Sequence, residues 1–300
     1  MFDRVLVATD LSEGADVAIR AAHDRTASAG GQLAVCHVIP NPMRTNVLFP
    51  QYSQRLALEI PKIRERAVAE VERRTAALTG REPGEFTVLV EDGVPHAAII
   101  RAAETWGADL VVVGTHGSSA NDRLLLGRVA DKVVRYAHCP VLAARERRDG
   151  RVLVATDFSD PSLPAVAAAV REAARLGAGL TILHSLDFGL TSVEASGVMF
   201  GSVPAGIPPS VSEEFRATTR GLLREALAAH GAEGDPLVVE GPAAAAITAT
   251  AGRLPAQLVV VGTTGRTGVA RLVLGSVAEA VVRDAPCSVM VVRLAAPDHG

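Results

Sequence analysis

Aromatic residues are scarce in this chain of 300 residues, and so is any excess of charge of one sign. Phenylalanine, tryptophan and tyrosine make up 3% of the sequence, which leaves few rings on which the bases of a single-stranded nucleic acid could stack. The chain has 30 Lys and Arg residues and 33 Asp and Glu residues, for a formal net charge of -3. Proteins that bind nucleic acid through its phosphates usually carry a basic excess, so no nucleic-acid partner is expected.

Lysine is rarer still, since it occurs only as Lys62 and Lys132, neither of which follows a glycine. A P-loop needs Gly-Lys followed by Ser or Thr, so this route to nucleoside triphosphates is excluded. The motifs HExxH and GxSxG are also missing, and no GxGxxG follows the first predicted strand. Metalloproteases, serine hydrolases and conventional dinucleotide dehydrogenases are therefore poor fits.

The three cysteines, Cys36, Cys139 and Cys287, are far apart in the sequence and indicate neither a disulfide framework nor a metal site. Each lies in or beside an apolar run, so we expect buried, reduced thiols, as suits the cytoplasm. The sequence has no run of 18 apolar residues, and its opening MFDRVLVATD does not resemble a secretory signal. We expect a cytoplasmic protein without a membrane segment.

The chain does contain an internal repeat. The segment RVLVATD stands at residues 4–10 and again at 151–157, and LVVVGT stands at 110–115 and again at 258–263. These offsets of 147 and 148 residues indicate two copies of a whole domain rather than a solenoid of short repeats. Hydrophobic residues at 48% supply enough material for two cores. We predict one domain over residues 1–147 and a second over residues 148–300.

Each copy alternates short apolar runs of β-type residues with helical stretches. Such alternation predicts a parallel sheet with right-handed crossovers and helices on both faces. The predicted fold class is α/β, with two tandem copies of a five-stranded, doubly wound, Rossmann-like domain. The predicted strands are 5–8, 33–39, 86–90, 110–113 and 141–144, then 152–155, 180–184, 237–239, 258–261 and 289–292. Ligands of such sheets bind beyond the carboxyl ends of the strands.

A glycine-rich loop follows the fourth predicted strand of each copy. In the second copy, Gly262, Gly265, Gly275 and Ser276 form the pattern G-x2-G-x9-G-[ST]. Gly262 and Gly265 can take backbone angles closed to other residues, while Gly275 and Ser276 would open a helix whose amides and dipole favour a phosphate. A tight turn with close helix packing is the alternative. The first copy keeps the pattern at Gly114, Gly117 and Gly127.

The first copy departs from the pattern at Arg128, which stands where the second copy has Ser276. An arginine keeps the backbone amide but removes the small hydroxyl, and it puts a cation where the helix dipole disfavours one. Arg128 could clamp a phosphate or fill the pocket. Whether the first copy binds a nucleotide is therefore left open.

An aspartate follows the first strand of each copy, Asp10 in one and Asp157 in the other. Each could accept a hydrogen bond from a ribose hydroxyl or hold a magnesium ion. The alternative is an Asx turn or a helix cap, with Ser12 and Ser159 as rival caps. His37 and His184 also match between the copies, and a structural role is expected because the sequence shows no catalytic partner for either.

Taken together, RVLVATDFS and VVVGTTGRTGVARLVLGSVAEAVVRDAPCSVMVV, with their first-copy counterparts, resemble the signatures of a tandem universal stress protein. In the ATP-binding branch of that family the glycine loop holds the phosphates and ribose, the aspartate lines the site, and the residue after the second-strand histidine meets the adenine. The resemblance implies bound ATP, with or without Mg2+. The residues it implicates are Asp157, Ser185, Gly262, Gly265, Gly275 and Ser276 in the second copy and Asp10, Val38, Gly114, Gly117 and Gly127 in the first.

Ser185 departs from the family pattern, which commonly has an apolar residue at that position. The segments 41–54 and 186–212 differ between the copies, and the second, rich in Gly, Pro and Ser, is interpreted as a lid or a surface for a protein partner. The two domains are expected to pack as an internal pseudo-dimer through their last strands, 141–144 and 289–292, since an uncovered sheet edge must be paired. Homodimerisation of whole chains is left open.

The leading hypothesis is a cytoplasmic, ATP-binding regulatory protein of the stress response that binds an adenine nucleotide and an unidentified protein partner. A nucleotide-free scaffold or dimerisation module, as in the family's non-binding branch, is one alternative. A slow ATPase or autophosphorylating enzyme is the other, although no residue offers itself as a base.

Overall fold

A computed structural model describes residues 2–39, 53–115, 126–187, 209–263 and 274–293. Its ten strands are β1 (Arg4–Thr9), β2 (Gln32–Ile39), β3 (Thr87–Asp92), β4 (Leu110–Gly114), β5 (Val141–Ala144), β6 (Arg151–Ala155), β7 (Leu180–Leu186), β8 (Asp235–Glu240), β9 (Ala256–Gly262) and β10 (Ser288–Val292). The helices of the described segments are α1 (Glu13–Ala29), α2 (Ser53–Thr79), α3 (Pro95–Trp106), α4 (Arg128–Tyr136), α5 (Leu163–Leu176), α6 (Pro209–Ala228), α7 (Ala243–Arg253) and α8 (Ser276–Asp284).

All ten strands belong to one sheet, in the order β3-β2-β1-β4-β5-β10-β9-β6-β7-β8. Within each half the five strands are parallel and follow the same order, which confirms the predicted fold class. The halves meet where β5 and β10 pair antiparallel, so the two predicted last strands lie side by side. Each helix between two parallel strands makes the crossover that parallel pairing requires.

The variable segment predicted over 186–212 is shorter than the sequence suggested. Leu186 is the last residue of β7, and α6 already begins at Pro209. Ser53 likewise begins α2, inside the other segment that differs between the copies, 41–54. The remainder of both segments lies outside the described residues.

Side chains alternate between the two faces of the sheet and form one core on each face. On β1, Val5 and Val7 face the core under α1, α2, α5 and α6, while Leu6 faces the core under α3, α4, α7 and α8. Both cores run through both halves and consist largely of Val, Leu, Ile and Ala. A sheet covered on both faces needs near-continuous apolar strands, which explains the burial of all four β5 residues. None of the described helices is long and apolar enough to cross a membrane.

Two contacts join equivalent residues of the halves and so mark a pseudo-twofold axis. Leu142 of β5 pairs directly with Met290 of β10, its counterpart at an offset of 148 in the sequence. Nearby on the same face, the guanidinium of Arg25 lies 3.0 Å from the carboxylate of Glu172, its counterpart at an offset of 147. Their side chains are only 8% and 4% exposed, so this ion pair is buried between α1 and α5.

A reciprocal pair of arginines also crosses the junction. Arg145 follows β5 and donates hydrogen bonds to the carbonyls of Val282 (2.7 Å) and Arg283 (3.1 Å) at the end of α8. Arg293 follows β10 and donates to the carbonyls of Val134 (2.7 Å) and Arg135 (2.5 Å) at the end of α4. The last carbonyls of a helix lack partners and carry negative partial charge. Each half therefore caps the last helix of the other.

Removing one member of the buried ion pair should be costly. We expect Glu172→Gln to lower the free energy of unfolding by about 3–5 kcal/mol, because the charge of Arg25 would stay buried without its counter-charge. Urea denaturation followed by circular dichroism measures the change. Glu70→Gln is the matched control, since it removes a carboxylate whose i,i+3 partner, Arg73, is 66% exposed and stays in water. A loss of stability as large in this control would contradict the argument.

The same carboxylate should make stability depend on acid pH. Burial alone would raise the pKa of Glu172, but the charges and hydrogen bonds of Arg25 and Arg175 outweigh it and hold the pKa below its usual range. A lowered folded-state pKa gives a stabilisation that is present above the unfolded-state pKa, about 4.3, and is lost as the pH falls through the folded-state value. The stability difference between wild type and Glu172→Gln should therefore shrink below about pH 4.3. A stability difference between the two proteins that stays constant from neutral pH into this acid range would contradict the role assigned to the Glu172 carboxylate.

Candidate functional site

The candidate site residues lie at the carboxyl ends of strands, on either side of the point where the strand order reverses. In each half the first strand has the second strand on one side and the fourth on the other. Asp157 comes two residues after β6, Gly262 ends β9, and Gly275 directly precedes α8. Crevices for ligands open at this position in doubly wound sheets.

The loop after the first strand has the same hydrogen bonds in both halves. The Asp10 Oδ1 accepts from the Ser12 amide (3.0 Å) and hydroxyl (2.5 Å), and the Asp157 Oδ1 accepts from the Ser159 amide (3.1 Å) and hydroxyl (2.5 Å). The Asx turn considered as the alternative is thus present. It uses Oδ1 and holds the carboxylate at the strand end.

Ser12 also caps α1, since its hydroxyl accepts from the Ala15 amide at 3.3 Å, whereas Ser159 makes no side-chain cap. The residue after each aspartate, Leu11 or Phe158, is in the left-handed region at φ 63° or 62°. That conformation costs energy for a residue with a branched or bulky side chain. Its occurrence at equivalent positions shows that both halves keep the same strained turn beside the aspartate.

The two histidines connect neighbouring strand ends. His37 Nδ1 donates to the Thr9 carbonyl (2.9 Å), and His184 Nδ1 donates to the Thr156 carbonyl (2.8 Å). A carbonyl can only accept, so each imidazole carries its proton on Nδ1 when neutral. The ring of Phe158 packs on that of His184, with centroids 4.8 Å apart. These contacts give both histidines a structural role in holding the turn.

The two ends of each glycine loop are tied together by the backbone. The Gly127 amide donates to the Thr115 carbonyl (2.9 Å), and the Gly275 amide donates to the Thr263 carbonyl (2.7 Å). Thr263 is itself anchored, because its amide donates to the Val292 carbonyl of β10 at 3.0 Å. Gly117 and Gly265, inside the loops, lie outside the described residues. The threonine that closes each loop was missed as a site residue, although LVVVGT repeats it.

The helix after each glycine loop begins without a side-chain cap. Gly127 (φ -60°, ψ 143°) and Gly275 (φ -66°, ψ 150°) are the N-cap residues of α4 and α8. Any residue can adopt these extended angles, so what glycine provides here is the lack of a side chain. The first-turn amides of a helix have no partner within the helix and lie at the positive end of its dipole. Ser276 and Arg128, the first residues of the two helices, are both exposed.

Gly262 is needed for a reason different from the one predicted. It is not among the glycines with positive φ, so the prediction that it uses an angle closed to other residues is wrong. A Cβ at Gly262 would lie 2.9 Å from the carbonyl oxygen of Pro161, in the short 3-10 turn after β6 (Asp160–Ser162). The glycine lets the end of β9 pack against that turn.

The residues assigned to the adenine differ in their surroundings. Val38 is 8% exposed and belongs to the core under α3 and α4. The Ser185 hydroxyl donates to the carbonyl of Gly241, which follows β8 with a left-handed φ of 109°. The polar departure at Ser185 is therefore paired within the protein, and its proton is already used.

Neither a metal cluster nor a reactive thiol is found in the described part of the chain. No group of three or more His, Cys, Asp or Glu residues there could hold a metal ion. Burial raises the pKa of Cys36 and Cys139 to about 12 and that of Cys287 to about 11. These thiols stay protonated at neutral pH and cannot act as nucleophiles.

The chain is similar to universal stress proteins over almost its whole length. The family model described as "Universal stress protein family" matches it twice, at residues 1–145 and 150–293. A universal stress protein of Mycolicibacterium smegmatis is 30% identical over 301 residues, which cover 96% of each chain. One from Thermus aquaticus is 37% identical over 145 residues, 48% of this chain and 100% of its own length.

The fold is shared with solved structures of the same family. The crystal structure of a universal stress protein from Archaeoglobus fulgidus covers 97% of this chain and 96% of its own, with a TM-score of 0.65 at 22% sequence identity. Both the duplicated sequence signature and the doubly wound halves are thus matched. This chain belongs to the universal stress protein family.

Proposed function

We propose that this protein is a cytoplasmic, ATP-binding regulatory protein of the stress response, and that its second half, residues 148–300, holds the nucleotide at the carboxyl ends of β6 and β9. Family membership supports the class of protein, and the sequence motif supports ATP as the ligand. One observation carries the site: α8 begins beyond β9 at Gly275, which makes no side-chain cap, and the next residue, Ser276, is exposed.

The phosphates would bind at that helix start. The first-turn amides of α8 are donors at the positive end of the helix dipole, and the Ser276 hydroxyl adds one more. The Gly275 amide is not available, since it donates to Thr263. Gly275 instead keeps a side chain out of the approach to the helix start.

The carboxylate of Asp157 would serve the ribose. Its Oδ1 accepts from Ser159, so the Asx turn fixes where the second carboxylate oxygen lies. A carboxylate beside bound phosphates is also a suitable ligand for Mg2+, which prefers oxygen donors and commonly takes one or two from protein and the rest from phosphate and water. Ser185 and Val38 would pack near the adenine of their respective halves, in keeping with the family's pattern.

The first half keeps the same framework and differs at the helix start. Thr115 and Gly127 close its loop as Thr263 and Gly275 close the other, and Asp10 repeats the turn of Asp157. Arg128 is exposed and has no hydrogen bond or ion pair among the described residues. Its cation stands where the dipole disfavours one, so we propose weaker binding in this half.

A regulatory function fits the site better than a fixed chemistry. General base catalysis needs a basic side chain within hydrogen-bond reach of the attacking group, and the imidazole of His184 is instead packed into the turn, against the Phe158 ring and the Thr156 carbonyl. Binding would act by favouring one conformation or assembly, through a difference in affinity between states. The engaged Gly275 amide favours the second candidate, a nucleotide-free scaffold.

A reciprocal exchange at the helix start tests the proposal. We expect Ser276→Arg to weaken ATP binding by about 10- to 100-fold, because a hydrogen bond to a charged phosphate contributes about 1.5–3 kcal/mol and the introduced cation opposes the dipole. Arg128→Ser should strengthen ATP binding by the first half, so that the second ATP per chain binds about as tightly as the first. Isothermal titration calorimetry measures both the affinity for ATP and the number of ATP molecules bound per chain.

The control for the exchange is Val277→Ala, which changes an exposed side chain of the same helix turn and keeps every backbone amide. Its ATP affinity should equal that of wild type. Absence of binding to the wild-type protein would eliminate the ATP hypothesis and leave the scaffold. Equal affinity in Ser276→Arg and wild type would place the nucleotide elsewhere.

A separate measurement addresses the enzymatic alternative. We expect purified protein with ATP and Mg2+ to release no phosphate above the spontaneous rate, because the groups assigned to the nucleotide are backbone amides, the Ser276 hydroxyl and the Asp157 carboxylate, whose proposed role is to bind it. A malachite-green assay over hours measures the release. Release that disappears in Ser276→Arg would instead revive the slow ATPase.

A further inference from the structure

A cleft of about 790 Å³ opens at the junction of the two halves. Its walls come from α1, from α5 and from the connector between β5 and β6, so both halves contribute. At β9 the cleft reaches Gln257 and Leu258, at the amino end of that strand. The candidate nucleotide site lies beyond Gly262 at the opposite end, so the two are separate.

The cleft is lined by six arginines: Arg20, Arg25, Arg145, Arg147, Arg148 and Arg175. The acidic residues of the lining are Asp24 and Glu146. One more carboxylate, Glu172, contacts both Arg25 and Arg175 from α5. The local excess of positive charge stands out because the whole chain has a formal net charge of -3. A cleft lined by one sign of charge concentrates ligands of the other sign.

Several of these cations have no strong internal partner. Arg20 and Arg148 are exposed and make no hydrogen bond or ion pair within the segments the structure describes. Arg147 lies 3.7 Å from Asp24, with side chains 73% and 46% exposed, so that pair is weak. The Arg145 guanidinium, in contrast, is used by the carbonyls at the end of α8.

A buried donor of the cleft is also unsatisfied. The Arg25 side chain is 8% exposed, and its Nε has no hydrogen-bond partner in the described part of the protein. A buried donor without a partner is rare and costs free energy. The other guanidinium nitrogens of Arg25 donate to the Ala21 carbonyl and to Glu172, so Nε is the one nitrogen of this side chain that lacks an acceptor there.

The shape and chemistry of the walls indicate the class of ligand. Guanidinium groups bind phosphate oxygens through paired hydrogen bonds. The cleft also has apolar walls at Val17, Leu78 and Leu176, and its volume is in the range of small-molecule sites. We propose that this cleft binds a small organic phosphate, whose phosphate group is held by Arg20 and Arg148 and whose organic part lies on the apolar wall. Because those arginines come from α1 and the connector, the ligand would tie the first half to the start of the second.

The test uses the full-length chain and inorganic pyrophosphate as the probe. Calorimetric titration should show one pyrophosphate per chain, and Arg20→Ala with Arg148→Ala should weaken it by roughly tenfold or more. The matched control is Arg66→Ala with Arg224→Ala, which removes two exposed arginines outside the cleft and should leave the affinity unchanged. Both double variants remove exposed side chains, so their thermal unfolding should match that of wild type.

Four results would overturn the proposal. The first is an absence of pyrophosphate binding to wild type, and the second is an equal loss in the two double variants. The third is a loss of pyrophosphate binding in Ser276→Arg, which would assign the probe to the nucleotide site of the second half. The fourth concerns citrate, which carries carboxylates in place of phosphates. If citrate binds as tightly as pyrophosphate and its binding depends on the same arginines, the assignment to phosphate is wrong. Unchanged pyrophosphate binding in Ser276→Arg together with its loss in Arg20→Ala, Arg148→Ala is the expected outcome.

Discussion

The antiparallel pairing of β5 with β10 is the constraint on which the rest of the structure depends. It pairs one of the two edges of each five-stranded sheet, which leaves β3 and β8 as the outer strands, and it places Leu142 opposite Met290, its own counterpart. The alignment brings α1 beside α5, and it carries Arg145 and Arg293 across to the ends of α8 and α4.

Joining the halves in one chain permits a contact that two identical subunits could not make. At a twofold axis a residue meets its own copy, so a charged residue there would meet a like charge. Here the equivalent positions carry Arg25 and Glu172, and they form a buried ion pair. The same freedom explains how Arg128 and Ser276 can occupy equivalent positions in otherwise matching loops. Duplication kept the framework and released single positions to differ.

The fold could be predicted further than the site. The repeat and the alternation of apolar runs were enough for two doubly wound halves and for the meeting of the last strands, because both depend on regular patterns along the chain. The site depends on contacts between distant residues: the Gly275 amide is occupied by Thr263, and Gly262 is small because Pro161 is near. No local pattern encodes these pairings. The pairing of Arg25 with Glu172 was invisible for the same reason, since helix periodicity does not say which helices become neighbours.

The direction of the strands places the crevices of the two halves on opposite sides of the sheet. Because β5 and β10 are antiparallel, the carboxyl ends of the strands of one half lie on the same side as the amino ends of the strands of the other half. The two crevices therefore open in opposite directions. Copies that associate head to tail, with the crevice of the first half of one copy against the crevice of the second half of the next, would build a line unless the rotation between them closes a ring. The helix at one crevice, α4, begins with Arg128, and the helix at the other, α8, begins with Ser276. Such a line would therefore have distinguishable ends.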